Sequence, residues 1–245
     1  MIKFQNSTNQ AKLKGIQEWL GYKPSVWSFS LPSGHTCPFA LDCLSKADRI
    51  TGKITDGKHT TFRCFQASLE AMYKTLRTMV WENFDTLRHM SSDEMVKALD
   101  HALPHKADIV RIHVGGDYFN QAYFNAWLEL AKQRPNTTFY SYTKSIPYWI
   151  ARMDEIPENF ILNGSRGGRM DNLLDRYELK TAKVVYSLEE ADTLGLEIDH
   201  DESHAIRNTG SFALLIHGTQ PKGSDANKAR QSLKAQGIKF EYSRK

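Results

Sequence analysis

Ile109-Val110-Arg111-Ile112-His113-Val114-Gly115-Gly116-Asp117 reads as one buried strand running into a turn. Its apolar positions are mostly β-branched and too few for a helix, and the glycine pair ends the run. Downstream, Tyr123, Phe124, Trp127, Leu128 and Ala131 recur at helical spacing and stop before Pro135. Thr138 to Thr143 is the next strand. Phe160 to Asn163, Ala182 to Tyr186 and Phe212 to Ile216 follow, and Asp225 to Gln236 closes the series as a helix. Upstream, Val26 to Leu31 alternates as a first strand. Strands alternating with helices predict an α/β fold with a parallel sheet. The expectation is a partial (β/α) barrel of about six mainly parallel strands with helices outside. No repeat or linker divides the chain, so residues 1–245 read as a single domain, with 1–15 as a flexible lead-in.

Parallel α/β folds place their sites beyond the C-terminal ends of the strands. Several ends here are polar or glycine-rich: Gly115-Gly116-Asp117, Thr143-Lys144-Ser145, Asn163-Gly164-Ser165-Arg166-Gly167-Gly168 and His217-Gly218. Any one of them reads equally well as a tight turn. Their recurrence at strand after strand points to a shared site.

The first strand leads into a long excursion, residues 32–64, that holds every cysteine of the chain: Cys37, Cys43 and Cys64. An odd number of thiols cannot pair off completely. Three clustered cysteines suit a soft-metal site, and an iron–sulfur cluster is the favoured reading. Three thiolates leave one iron of a 4Fe-4S cubane without a cysteine, open to water, a substrate or another residue; a 3Fe-4S cluster needs no fourth ligand. Zinc completed by His35 or His59 is the competing metal site. Plain buried thiols are the third reading.

The segment Ser30-Leu31-Pro32-Ser33-Gly34-His35-Thr36-Cys37-Pro38-Phe39-Ala40, with Cys43 and Cys64-Phe65-Gln66-Ala67, resembles the cysteine region of the phage "gene product 88-like" family. Further similar stretches are Arg111 to Phe119, Phe139 to Lys144, Gly164 to Gly168, Asp199 to Ala205 and Phe212 to Gly218. The resemblance runs from about Ser30 onward and implies a phage-encoded protein acting in the cytoplasm of a host bacterium. A cluster loop after the first strand of a partial barrel also looks like the layout of radical S-adenosylmethionine enzymes. Their usual spacing is C-x3-C-x2-C with an aromatic before the third cysteine; here it is x5 and x20, and Arg63 precedes Cys64. That looser likeness implies S-adenosylmethionine on the open iron. Gly115 and Gly116 would then approach the cofactor, Asp117 would meet an ammonium or hydroxyl, and Lys144, Ser165 and Arg166 would meet a carboxylate or phosphate. The other function left open is a non-catalytic cluster protein for electron transfer, redox sensing or host-protein binding.

Other features read more plainly. Asp199-His200-Asp201-Glu202-Ser203-His204 is expected to be a polar loop capping a short helix, with a second metal site as the alternative, since His200 and His204 are one helical turn apart. Gly164 to Arg169 is an anion cradle or a turn, and His113 is a core histidine. Lys239 to Lys245 is a solvated end or an edge strand. Net charge is +4, which permits nucleic-acid contact without arguing for it. No apolar run reaches membrane-spanning length, and no P-loop motif appears.

Overall fold

The computed structural model describes residues 1–10, 13–207 and 210–238. Its frame is one seven-stranded sheet in the order β1-β2-β5-β6-β7-β8-β9. The strands are β1 (Gln5–Asn6), β2 (Val26–Ser28), β5 (Ile109–Ile112), β6 (Thr138–Thr143), β7 (Phe160–Ser165), β8 (Thr181–Val185) and β9 (Phe212–Leu215). β1 runs antiparallel to β2 at one edge, and every other pairing is parallel. The cysteine excursion contributes a separate hairpin, β3 (Ser45–Ala47) with β4 (Ile54–Asp56).

The sheet is open, which corrects the barrel: the edges β1 and β9 do not pair. The six parallel strands nevertheless follow one another in chain order, as the alternating pattern predicts. One face carries α3 (Lys74–Leu87), α4 (Ser92–Ala102) and α5 (Gln121–Gln133), packed on Val110, Ile112, Phe139, Phe160 and Leu162 around the buried Trp127. The residues of alternate register, Val26, Ile109 and Tyr140, face the other way against Ile16 of α1 (Lys14–Leu20) and against Ala205 and Ile206 of α9 (Ser203–Ile206). This second face is filled by packed side chains, so no closure is needed to bury it.

That packing includes a buried ion pair. Arg111 on β5 donates to Glu202, and the Tyr140 hydroxyl donates to the same carboxylate. The side chain of Glu202 is 3% exposed and that of Arg111 12%. A buried pair of this kind adds modestly to stability when intact and is costly to break from one side.

The apolar periodicity from Leu69 to Val80 predicts one helix, but the chain breaks at Tyr73, which is extended with φ −113° and ψ 100°. α2 (Phe65–Met72) therefore ends before α3 begins. The carbonyls of Glu70 and Ala71, left without helical partners, accept from Arg77 Nη1 at 2.5 and 3.3 Å. The start of α4 follows the sequence signal: Ser91 and Glu94 form a reciprocal capping box.

Two substitutions separate these contributions. Ser91→Ala removes an exposed cap and should cost about 1 kcal/mol, about 2–4 °C in Tm. Glu202→Ala leaves Arg111 charged and enclosed and should cost about 3–5 kcal/mol. Thermal unfolding followed by circular dichroism measures both, and equal losses would contradict the account of the inner face.

Candidate metal centre

All six parallel strands end on one edge of the sheet, and the cysteine excursion lies across that edge. Its seat is made by backbone approach. Leu31 N donates to Gly115 O at 2.9 Å, Asp42 N donates to Gly167 O at 2.9 Å, and Arg169 N donates to Phe39 O at 2.8 Å. Gly116 has φ 84°, and a Cβ there would lie 2.7 Å from Thr36 Oγ1. Gly167 has φ 90°, and its Cβ would meet the Asp42 carboxylate at 2.7 Å. Side chains are excluded at both positions by conformation and by space. Gly115 abuts Gln66, and Gly218 abuts Phe65. Thr36, Asp42, Phe65 and Gln66 each lie one or two residues from a cysteine. The strand-end glycines thus press the cysteine-bearing segments onto the sheet.

The three cysteines come from three local structures: Cys37 from the turn after Leu31, Cys43 from the turn before β3, and Cys64 from the cap position of α2. All are free and half-buried by surface accessibility, yet protein atoms enclose the sulfurs closely enough that desolvation dominates their titration. The sulfurs are thus crowded by protein although each cysteine stays partly exposed. Burial pushes Cys64 up to about 12, and the nearby Cys43 adds to the shift. Burial pushes Cys37 well above the ordinary thiol value, helped by Asp117, Cys43 and Cys64. Cys43 is raised by burial, against the pull of Lys144. The mutual effects place the thiols within electrostatic reach of one another. Backbone N–H groups face two of the sulfurs. Gly34 N donates to Cys37 Sγ at 3.3 Å. The amides of Gln66 and Ala67 hold the Cys64 pKa down without closing a cap hydrogen bond.

Among the described residues, no three His, Cys, Asp or Glu side chains converge closely enough to hold a single metal ion. A lone zinc needs its thiolates at about 2.3 Å from one centre. A polynuclear cluster spreads them, because each sulfur binds a different iron. His35 turns away from the recess: its Nε2 lies 3.1 Å from Ala47 O, and its ring packs on Trp81. The donors here are three thiols without a histidine, the ligand type that iron–sulfur clusters take.

The other strand-end residues do gather beside the thiols, but they are already engaged. Asp117 accepts from Tyr118 N at 2.7 Å, Thr143 Oγ1 at 2.6 Å and Lys144 N at 2.8 Å. Its pKa is raised to about 6, chiefly by burial. Lys144 Nζ donates to Ser165 O, Ser165 Oγ and Arg166 O at 2.6–2.8 Å. Arg166 Nη2 pairs with Asp175 at 2.5 Å. These side chains tie β5, β6 and β7 together beneath the recess, where sequence reading expects them to hold a cofactor.

The 199–206 segment is a folded loop, as its bland reading expects. Asp199 accepts from Asp201 N and Ala205 N, and Asp201 accepts from Ser203 N. α9 begins only at Ser203, so His200 lies outside the helix and does not share a face with His204. His113 lies in the core, with φ 66° and Nε2 3.0 Å from Tyr123 OH. The tail Lys239 to Lys245 lies outside the described residues. A shallow groove lined by Asn6, Lys23, Lys106 and Asp108 opens at the opposite end of the strands, away from the cysteines.

Sequence reading misses Glu70. It is fully buried on α2, and its Oε1 accepts from Ser33 N and Ser33 Oγ at 3.0 and 2.7 Å. Its Oε2, and the Oε1 of Gln66 one turn earlier on the same helix, have no partner. Burial pushes Glu70 up to about 7. A proton on Oε2 gives the buried carboxyl a donor one helical turn from Gln66 Oε1.

A family model described as "Gene product 88" matches residues 2–236. The "Gene 88 protein" of Mycobacterium phage L5 is 26% identical over 128 residues, covering 48% of this chain and 47% of the relative. The chain thus spans about half the length of that curated relative. No solved structure matches the chain significantly. The chain belongs to the Gene product 88 family.

Glu70 titrates above its unfolded value, so its contribution to stability is fully present below about pH 4.5 and is lost as pH rises through about 7. Glu70→Gln keeps the acceptor for Ser33 and adds a permanent donor toward Gln66. In thermal melts of the metal-free protein, the variant should lose less Tm than wild type between about pH 5 and pH 8. Parallel curves would show that Glu70 does not titrate in this range. His113, held down to about 3 by burial, has the opposite sign and is lost as pH falls, so the two separate.

Proposed function

We propose that this family member carries a cubane-type iron–sulfur cluster on Cys37, Cys43 and Cys64 and works as a redox protein of the phage-infected bacterial cytoplasm. The observation that carries the reading is the meeting of three thiols from three separate segments in one recess at the C-terminal edge of a parallel sheet. Isolated buried cysteines have no reason to meet in this way. Burial disfavours ionisation of these thiols in the metal-free protein, and the positive charge of a bound cluster would stabilise the thiolates. When bound, such a cluster supplies a low-potential electron and one iron without a cysteine ligand.

The chain's own residues prepare the recess. Amides of Gly34, Gln66 and Ala67 face the sulfurs and favour the thiolate form. Lys144 favours ionisation of Cys43 while its ammonium stays fixed on the 165–166 carbonyls. Half-buried Phe39 and Tyr148, with rings 5.4 Å apart, and Phe65 and His217, 5.0 Å apart, flank the cysteine segments and limit water. Asp117 and Arg166 spend their hydrogen bonds within the protein, and this favours electron transfer or sensing. The finer enzymatic reading, with S-adenosylmethionine on the open iron, rests on the strand-end location of the recess.

Anaerobic purification with iron and sulfide analysis should give about four of each per chain. Cys37→Ser, Cys43→Ser and Cys64→Ser should each lose the visible charge-transfer absorption while keeping far-ultraviolet dichroism. Zinc in place of iron, or a cluster indifferent to all three substitutions, would overturn the proposal. Added S-adenosylmethionine should shift the reduced-state EPR signal if the open iron binds it. An unmoved signal assigns the site to electron transfer or sensing.

A further inference from the structure

The positive charge of this chain is concentrated. Between Cys43 and Cys64 lie five Lys or Arg against two Asp, in a protein whose net charge is only +4. Arg49 is paired with Asp85, and Arg63 with Asp56. Lys53 on the hairpin and Lys74 at the start of α3 are exposed and, among the described residues, form no ion pair.

An apolar centre lies among these lysines. Ile50, at the tip of the β3–β4 hairpin, is 82% exposed. Met72 and Tyr73, at the break between α2 and α3, are 59% and 46% exposed. One buried arginine joins the two sites. Arg77 donates to Arg49 O at 3.1 Å and Ile50 O at 3.3 Å on the hairpin, and to Glu70 O and Ala71 O on the helix end. Gly52 packs directly on Ala71 O and the same guanidinium. A buried arginine thus fixes an exposed, oily hairpin tip in place, and a surface held rigid in this way loses little entropy on binding.

The placement relative to the thiols is as pointed as the composition. The hairpin connects two of the three proposed cluster ligands, and Cys64 N donates to Ser45 Oγ on β3 at 3.3 Å. Met72 ends the eight-residue helix that Cys64 caps, about 12 Å along its axis. A partner seated on Met72 would lie one short helix away from Cys64.

We propose that the Ile50–Met72–Tyr73 patch, flanked by Lys53 and Lys74, with Asp48 at the hairpin tip bonded to Ile50 N, docks an acidic electron-carrier protein that reduces the cluster. The inference rests on the cluster reading above. An aliphatic centre with a charged rim is the anatomy of a protein interface. A nucleic-acid surface would instead show a basic stripe with several exposed aromatic platforms, and only Tyr73 is offered here. The charge selects an acidic partner and speeds its arrival. In the step itself one electron leaves the carrier, which is oxidised, and enters the cluster, which is reduced. No bond breaks and no proton moves.

The test uses full-length, cluster-loaded protein and, as probe, an acidic flavodoxin reduced to its hydroquinone. Cluster bleaching is followed by stopped flow. The second-order rate should fall at least about tenfold when salt rises from about 0.05 to about 0.5 M. It should fall similarly in Lys53→Glu/Lys74→Glu and in Ile50→Asp, while reduction by dithionite stays unchanged in each. Rates indifferent to salt and to these substitutions would overturn the docking surface and leave the cluster standing. Protein without visible absorption before the carrier is added would overturn both. A single-stranded oligonucleotide that binds the wild type but not Ile50→Asp would assign the patch to nucleic acid and also overturn the proposal.

Discussion

The contact on which the rest of the molecule depends is the backbone approach between the cysteine excursion and the ends of β5 and β7. Gly116 and Gly167 sit at positive φ with no room for a Cβ, against residues that neighbour Cys37 and Cys43. A side chain at either glycine would lift a cysteine-bearing turn off the sheet. The strand ends are in turn locked by two charged groups turned inward: Asp117 gathers the starts of two loops, and Lys144 holds a third. The recess is therefore built on the sheet, the stiffest part of the protein, although every cysteine lies in a turn or at a helix cap. A site of precise geometry needs such support for its loops.

The electrostatics of the recess follow from that seating. Enclosing three thiols within reach of one another, beside the Asp117 carboxyl, drives their pKa values upward. The metal-free site is a set of neutral thiols, and ionisation waits for a compensating cation. Loading of the proposed cluster would be coupled to proton release, and the amides of Gly34, Gln66 and Ala67 would ease it. Burial likewise raises Glu70, behind the loop, to about 7, and its Oε1 links Ser33 to α2 by hydrogen bonds.

Much of the sheet was legible because its strands are short β-branched or aromatic runs with clear stops. Ile109 to Ile112, Thr138 to Thr143 and Phe212 to Leu215 lie where the pattern predicts. The cysteine region was legible from spacing alone. Openness of the sheet was not, because sequential parallel strands suit a closed barrel and an open sheet alike, and only the packing of Ile16, Ala205 and Ile206 decides. The break at Tyr73 hid inside an unbroken apolar period; Arg77, the residue that satisfies it, reads as an ordinary surface cation. Gly115 and Gly116 were marked for a cofactor, and the groups close against them here are Gln66, Ser33, Leu31 and Thr36: glycine reveals that something comes close but not what. Lys144 and Arg166 looked like ligands for an anion, since a sequence does not show that a carbonyl or Asp175 has already claimed them. Gln66 and Glu70, one turn apart and directly after Cys64, were the unread signal of a buried polar pair.

The central claim is that three cysteines hold a cluster with one iron unlike the others. The most direct measurement is a Mössbauer spectrum of protein produced anaerobically with iron-57. The account predicts paired-iron signals of a cubane in which one site, about a quarter of the iron, differs from the rest and responds to added small ligands. A spectrum of mononuclear iron, or protein that carries zinc and no iron, would contradict it.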